Sequence, residues 1–214
     1  MTVRGALRAA LIDLYENSWR LIVPNIVLSA VTLAAVAAAS YSQPALLLLV
    51  GVGPFAAALM HCAVTVQQTD RLRMGDGLEG LRLHWRRGLA LGALVAAATI
   101  LGVVAVSFYA HSGTGALPLA VTAFYVTLMF AFWQIHVWPL AVARRRDDLL
   151  VVLRDAALGL ARRPVATIAF AFTLLLVNAL GAIGILPVLT FTIAYSALAA
   201  AHFVLPPPPE EATI

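Results

Sequence analysis

The sequence contains no lysine, a single cysteine and very little charge of either sign. Only 11% of its 214 residues are charged, against about 25% in soluble proteins, while 62% are hydrophobic and the mean hydropathy is +0.94. A water-soluble domain of this length would need a polar shell that so few polar residues do not provide. The composition therefore excludes a soluble globular protein and predicts an integral membrane protein.

The scarcity of cysteine and lysine also narrows the chemistry. Cys62 stands alone, which excludes an internal disulfide and any site built from several cysteines, and we expect neither a metal nor another cofactor. All 14 basic residues are arginine, and the net charge is +4. Because these arginines flank apolar segments, they indicate membrane orientation and contact with anionic lipid head groups rather than binding to nucleic acid.

Charged residues divide the chain around three long apolar stretches. Residues 21–69, 88–143 and 164–209 contain no Asp, Glu, Lys or Arg. One helix needs about 20 residues to cross roughly 30 Å of hydrocarbon, so each stretch is long enough for two crossings. Turns are predicted where Gly, Ser or Pro residues permit a reversal, at 39–44, 111–115 and 181–184.

The predicted fold is therefore an all-α, polytopic membrane protein with six transmembrane helices arranged as three hairpins. A short Pro-rich, acidic tail follows the last helix at 206–214. The approximate spans are 20–39, 45–67, 89–110, 116–140, 164–181 and 185–205.

The positions of the arginines predict the orientation. They precede the first span and lie between spans two and three and between spans four and five, and none lies in the other three turns. Arginine is enriched on the cytoplasmic side, so both termini are predicted to be cytoplasmic in a bacterial inner membrane. Alternatively, the first span is a signal peptide cleaved near Ala39. Cleavage is not expected, because Asp13 and Glu16 precede this span, whereas signal peptides begin with a short basic region.

The three charged segments share one design. Residues 1–19, 77–87 and 148–163 each place apolar side chains at helical spacing among charged ones, which predicts an amphipathic helix on the cytoplasmic membrane surface before each hairpin. This repeated unit reflects either duplication or shared membrane constraints. Where each segment meets its span, Trp at head-group depth and Arg on lipid phosphates are predicted anchors. They are Trp19, Arg20, Trp85, Arg86, Arg87, Arg162 and Arg163.

Four short passages, spread over nearly the whole chain, form a further pattern. They are Leu14-Tyr15-Glu16-Asn17 with Pro24-Asn25, Gly53-Pro54 with Ala56-Ala57-Ala58-Leu59, the basic segment before span three, and the leucine-rich hairpin with Leu186-Pro187. Together they resemble the YesL-like family of bacterial membrane proteins, a domain of unknown function. Genes of such families often sit near carbohydrate uptake systems, so the resemblance implies a role beside a transporter. It carries over no catalytic residue.

Polar side chains inside a bilayer are costly and are therefore candidates for function. The candidate ligand-binding residues are Asn25, His61, His136, Asn178 and His202, with Gln134 close by. The three histidines fall at comparable depth in spans two, four and six, and they would form a metal or proton-relay site if they converged. The interpretation we favour is that each bonds to a neighbouring helix and has no further role.

Motifs that carry catalysis are missing from the sequence. It has no Walker motif and no nucleophile elbow, and every Asp and Glu lies in a charged segment or the tail. The Gly51-Val52-Gly53-Pro54 passage lies in an apolar span with no lysine after it. It is therefore better explained by close helix packing and a proline kink than by phosphate binding.

Three functional hypotheses follow. The leading one is a non-enzymatic accessory or assembly protein whose surface helices contact a partner, such as a sugar transporter. Self-association into a homo-oligomer is the other candidate assembly. The alternative is an autonomous small transporter or channel with a polar path through Asn25, His61, His136 and Asn178. A membrane enzyme would require the histidines to meet around a metal. Whether these polar groups line one cavity or face separate neighbours distinguishes the hypotheses.

Overall fold

The computed structural model describes residues 2–41, 47–184 and 188–207. These residues form seven α-helices, with a single 3₁₀ turn (Thr114–Ala116) before α4 and a π-helical turn (Val188–Thr192) before α7. The helices are α1 (Val3–Tyr41), α2 (Leu48–Thr69), α3 (Asp76–His111), α4 (Leu117–Ala143), α5 (Leu149–Arg162), α6 (Pro164–Gly184) and α7 (Ile193–Val204).

Five of these helices, α1, α2, α3, α4 and α6, are long and apolar enough to cross a membrane. A helix crosses the hydrocarbon layer because all of its backbone hydrogen bonds are made within the segment itself. By helix length and hydropathy, the chain is therefore a multi-pass, all-α membrane protein. The apolar helical segment that contains α7, Thr190–Val204, is shorter.

The prediction of a surface helix ahead of each hairpin is wrong for the first two charged segments. Residues 1–19 and 77–87 do not form elements of their own, because α1 and α3 run without interruption from the charged segment into the apolar one. Nothing at Trp19-Arg20 or Arg87-Gly88 interrupts the helix. Only α5 is separate from the helix that follows it. Its boundary is set by Pro164, which disfavours helical geometry at Arg163 (φ −139°, ψ 55°).

The predicted turns have different outcomes. Between α3 and α4 the chain does reverse, and Gly113 has a φ of 97°, which glycine adopts without strain. The predicted first turn begins too early, since α1 continues through Tyr41, and the rest of that turn lies outside the described residues. Residues 181–184 belong to α6 instead of a turn, because glycine is tolerated within apolar helices. Leu186, Pro187 and residues 208–214 also lie outside the described part.

The core surrounds α2, which packs against α1, α3, α4 and α7. In the most apolar window of α2, 56% of the residues are buried, compared with 17% in that of α3 and 11% in that of α4. Cys62 lies in this core with 1% of its surface exposed, and Leu59 and Leu198 are fully buried beside it in the same cluster. α2 is thus the centre around which α1, α3, α4 and α7 pack.

Glycine allows α2 and α3 to cross closely. A Cβ at Gly53 would collide with the carbonyl oxygen of Gly88 and would lie 2.8 Å from Cα of Gly92. A Cβ at Gly88 would in turn lie 2.6 Å from Cα of Pro54. The two backbones therefore touch at this point, as small residues permit in membrane helix packing. The predicted role of Gly53 in close packing is confirmed.

The distal hairpin, which comprises residues 98–130 of α3 and α4 with their connection, is much more exposed than the rest. Ala120 is its one buried residue. Its two helices pack on each other, with Gly102 against the Thr127 side chain, and large apolar residues such as Leu101, Phe108 and Phe124 are exposed. This part of the chain thus offers its apolar surface to lipid or to another membrane protein.

Candidate functional site

His202 contacts the amino-terminal segment of the chain. Its Nε2 donates a hydrogen bond to Oδ2 of Asp13 at 2.6 Å, and the two side chains are only 13% and 14% exposed. This contact joins α7 to α1. The hydroxyl of Tyr195 strengthens the same interface by donating to the carbonyl oxygen of Leu7 at 3.3 Å. His202 therefore has a structural partner 189 residues away in the sequence.

His136 is buried between α4 and α6. Its Nε2 lies 3.0 Å from Oγ1 of Thr167, which is itself fully buried. On its other side the imidazole ring lies 5.8 Å from the Phe203 ring, which stacks on Phe170 at 4.4 Å. His136 thus joins three helices through one polar contact and an aromatic cluster.

His61 packs against a fourth histidine that the sequence did not single out. The rings of His61 and His84 lie 5.2 Å apart at an angle of 44°, and the close approach of α3 is possible because Gly80 faces the His61 ring. His84 precedes the uncharged stretch that begins at Gly88. Burial, followed by the charges of His61, Arg145 and Arg87, lowers the pKa of His84 to about 4. At neutral pH, His84 is therefore uncharged, as its buried position requires.

The two asparagines also occupy helix contacts. Nδ2 of Asn178 donates to Oγ of Ser196 on α7 at 2.7 Å and to the carbonyl oxygen of Leu174 at 2.8 Å. Asn25 follows Pro24 in α1, and its side chain is completely buried. The amide of Asn178 therefore ties α6 to α7.

The five candidates do not share one site among the clearest cavities of the described residues. Of five cavities compared within the described ranges, one is lined by His136, and none of the five is lined by Asn25, His61, Asn178 or His202. Within the described ranges, no three His, Cys, Asp or Glu side chains are grouped closely enough to hold a metal ion. His61, His136, Asn178 and His202 thus face separate neighbours.

The predicted interfacial anchors fall into three groups. Trp19 and Trp85 are exposed, and the Arg86 guanidinium lies 5.2 Å from the centre of the Trp85 ring, so these side chains are available to lipid head groups. Arg87 differs, because its guanidinium donates to the carbonyl oxygens of Ala141 (2.9 Å), Arg144 (2.8 Å) and Asp147. Its bonds thus connect α3 to the last turn of α4, where the Ala141 carbonyl has no helical partner, and to the turn that follows α4. The remaining anchors, Arg20, Arg162 and Arg163, line cavities.

Sequence reasoning missed the partners Asp13, His84, Thr167 and Ser196. For Asp13 a signal existed: Ala6, Ala10 and Asn17 are buried on the same helical stripe, at the spacing of three and four residues that marks one face. Asn17 confirms this face, since its Oδ1 accepts a hydrogen bond from the backbone N–H of Leu72 at 3.2 Å. A polar residue on an otherwise apolar stripe is the pattern that indicates a buried partner.

Replacing Arg87 with glutamine is expected to destabilise the protein by about 1.5 kcal/mol, because several carbonyl groups at the end of α4 lose a charged donor. The measurement is reversible unfolding in mixed micelles as sodium dodecyl sulfate is added. Arg86→Gln is the matched control, since Arg86 is exposed and its ring contact is with Trp85 alone among the contacts above. Equal stability of the two variants would show that the carbonyl contacts of Arg87 contribute nothing.

Comparison of this chain with family profiles, curated proteins and solved structures finds no match. The class of protein therefore follows from the fold alone: a multi-pass helical membrane protein whose polar side chains connect helices.

Proposed function

We propose that the protein is a non-enzymatic accessory or assembly subunit of a complex in a bacterial cytoplasmic membrane. The observation that carries this proposal is the separation of the intramembrane polar groups. A transporter or channel needs polar groups that line a common path. Here His202 is hydrogen-bonded to Asp13, His136 contacts Thr167, and Asn178 is hydrogen-bonded to Ser196.

The proposed topology has six spans with both termini in the cytoplasm. Its support is the distribution of arginine, which lies near the ends of the uncharged stretches and is absent from the three turns predicted within them. The sixth span would combine α7 with the residues that precede it. The further link to carbohydrate transport is supported only by the resemblance to the YesL-like family.

A subunit of this kind needs a surface for its partner inside the membrane. The distal hairpin is suited to this role because α3 and α4 pack on each other there and leave aromatic and aliphatic side chains exposed. Contiguous exposed apolar surface of this kind is typical of lipid contacts and of protein interfaces. Within the proposal, the partner contacts this hairpin.

The test is photo-crosslinking in the native host with p-benzoylphenylalanine at Phe124 of the distal hairpin. Phe172 of α6 is the matched control, since both side chains are 54% exposed. The expected result is one discrete adduct from position 124, containing a different membrane protein of a transport complex, and little or none from position 172. An adduct of twice the mass of the chain, or adducts with lipid alone, would contradict the proposal.

The channel alternative is tested separately. Purified protein in proteoliposomes is expected to show no flux of sugars, ions or protons above that of protein-free vesicles. A flux that falls when Asn178 and His136 are replaced by apolar residues would overturn the accessory function and establish a transport path.

A further inference from the structure

A groove of about 490 Å³ lies where four helices end or begin. It is formed by the end of α4, the second half of α5, the boundary between α5 and α6, and the end of α7. Its wall contains the arginines Arg144, Arg162 and Arg163. Its volume falls in the range of small-molecule sites in proteins, about 300–1,000 Å³.

The groove carries unbalanced positive charge among the described residues. Arg144 is paired, because its Nη1 lies 2.5 Å from Oδ2 of Asp155. Arg162 and Arg163 are exposed and have no carboxylate within ion-pair distance in the described ranges. The amino-terminal end of α6, a helix of 21 residues, begins at the next residue and adds a partial positive charge. Two free guanidinium groups beside a helix amino terminus favour a phosphate group.

The rest of the lining includes His136, which contacts Thr167, and Asp155, which is paired with Arg144, but most of its residues are apolar. Leu140, Leu158, Phe203, Val204 and Leu205 form the apolar part of the lining. The adjacent helix α5 is amphipathic: it buries Val152 and Ala156 against the bundle and exposes Leu150 and Leu158, which is the pattern of a helix at a membrane surface. A phosphate site that continues into apolar surface matches a molecule with a charged head and hydrocarbon tails.

We propose that this groove binds an anionic membrane lipid, with the phosphate on Arg162 and Arg163 and the first part of the acyl chains along Leu140 and Leu158. The site is independent of the accessory function proposed above and does not require the distal hairpin. A soluble phosphorylated compound offers the arginines the same phosphate chemistry, but it would leave the apolar lining in contact with water. The groove therefore selects a lipid over a free phosphate.

The test is native mass spectrometry of the full chain purified in mild detergent with phosphatidylglycerol or with phosphatidylcholine of the same chain length. We expect phosphatidylglycerol to be retained about tenfold more strongly than the zwitterionic lipid, the factor that one charge-assisted contact supplies. The variant Arg162→Gln/Arg163→Gln should lose this preference. Equal retention of both lipids by the wild-type protein would overturn the proposal.

Two further variants separate a specific site from general attraction. Arg4→Gln/Arg8→Gln removes the same charge from exposed positions of α1 outside the groove, and it should keep the preference. Arg162→Lys/Arg163→Lys should restore most of the preference for phosphatidylglycerol, because lysine retains the positive charge. Recovery in this variant would also show that the loss in the glutamine variant does not come from misfolding. Loss of the preference in the α1 variant to the same degree would show that only overall charge matters, which contradicts the proposal.

The last two experiments test whether other anions compete with the lipid for the groove. Glycerol 3-phosphate at millimolar concentration should not displace the lipid, and its displacement of the lipid would assign the groove to a soluble phosphate instead. Glu210 and Glu211 are anions of the chain itself, and Glu210→Gln/Glu211→Gln should leave lipid retention unchanged or raise it. Retention seen only in this variant would mean that the chain's own carboxylates occupy the groove and would overturn the proposal for the wild-type protein.

Discussion

Replacing Gly53 with alanine is expected to destabilise the protein by about 3 kcal/mol, the upper part of the usual range for overpacking. The added methyl group would collide with the carbonyl oxygen of Gly88 and would lie 2.8 Å from Cα of Gly92. Both are backbone atoms, so no side-chain rotation relieves the collision and α2 and α3 must separate. For a chain of this length, that loss corresponds to a fall of roughly 6–12 °C in the unfolding temperature.

Gly51 provides the matched control for this prediction. It lies in the same helix two residues earlier, and a Cβ there meets no atom within 4 Å. Gly51→Ala should therefore leave stability unchanged or raise it by up to about 1 kcal/mol, since alanine favours the helix more than glycine does. Thermal unfolding in detergent, followed by the fraction of monodisperse protein, compares the two variants. Equal unfolding temperatures would mean that α2 and α3 do not cross at these glycines.

Replacing Asp13 with alanine is expected to destabilise the protein by about 2.5 kcal/mol, because His202 loses the charged acceptor at 2.6 Å while it remains largely buried. Asp13→Asn should cost less, since the amide oxygen still accepts the hydrogen bond. In a double-mutant cycle, Asp13→Ala combined with His202→Ala should cost clearly less than the sum of the two single changes. The measurement is again reversible unfolding in mixed micelles.

The pair formed by Arg144 and Asp155 is the control for the Asp13 prediction. Its atoms lie 2.5 Å apart, but the two side chains are 46% and 35% exposed. Exposed ion pairs contribute at most about 1 kcal/mol, so Asp155→Ala should cost less than Asp13→Ala. If Asp155→Ala destabilised the protein more than Asp13→Ala, burial would not be the source of the stabilisation. The role assigned to the contact between α1 and α7 would then be wrong.

The helical class of the fold could be predicted from the sequence because the patterns of hydropathy and charge extend over stretches of tens of residues. Long apolar stretches without charge are favoured in hydrocarbon, and a chain that crosses hydrocarbon must form helices or a closed barrel. Where helices end is a local matter, and prediction succeeded where a residue forces the break. Pro164 marks the boundary between α5 and α6, and Gly113 marks the reversal after α3. Prediction failed at Trp19 and Arg87, since a change from amphipathic to apolar sequence does not itself end a helix.

The contacts of the candidate residues were less predictable than the candidates themselves. His202 stands out because it is polar within an apolar segment, but Asp13 lies 189 residues earlier in a segment that already carries charge. Arg87 was predicted to contact lipid phosphate, and its position beside exposed Arg86 gives no indication that it binds carbonyl groups of α4 instead. Such pairings depend on how helices come together in space, which hydropathy and spacing do not encode.

The burial of Cys62 makes the wild-type chain suitable for labelling experiments without prior removal of its native thiol. With 1% of its surface exposed, this side chain is inaccessible to maleimide reagents that remain in solution. A cysteine introduced at Ser112, between α3 and α4, or at Asp147, between α4 and α5, would be the one reactive thiol of a folded molecule. Membrane-impermeant maleimide applied to intact cells and to inverted vesicles should modify these two positions from opposite sides. Amine reagents, in contrast, find no lysine side chain to modify.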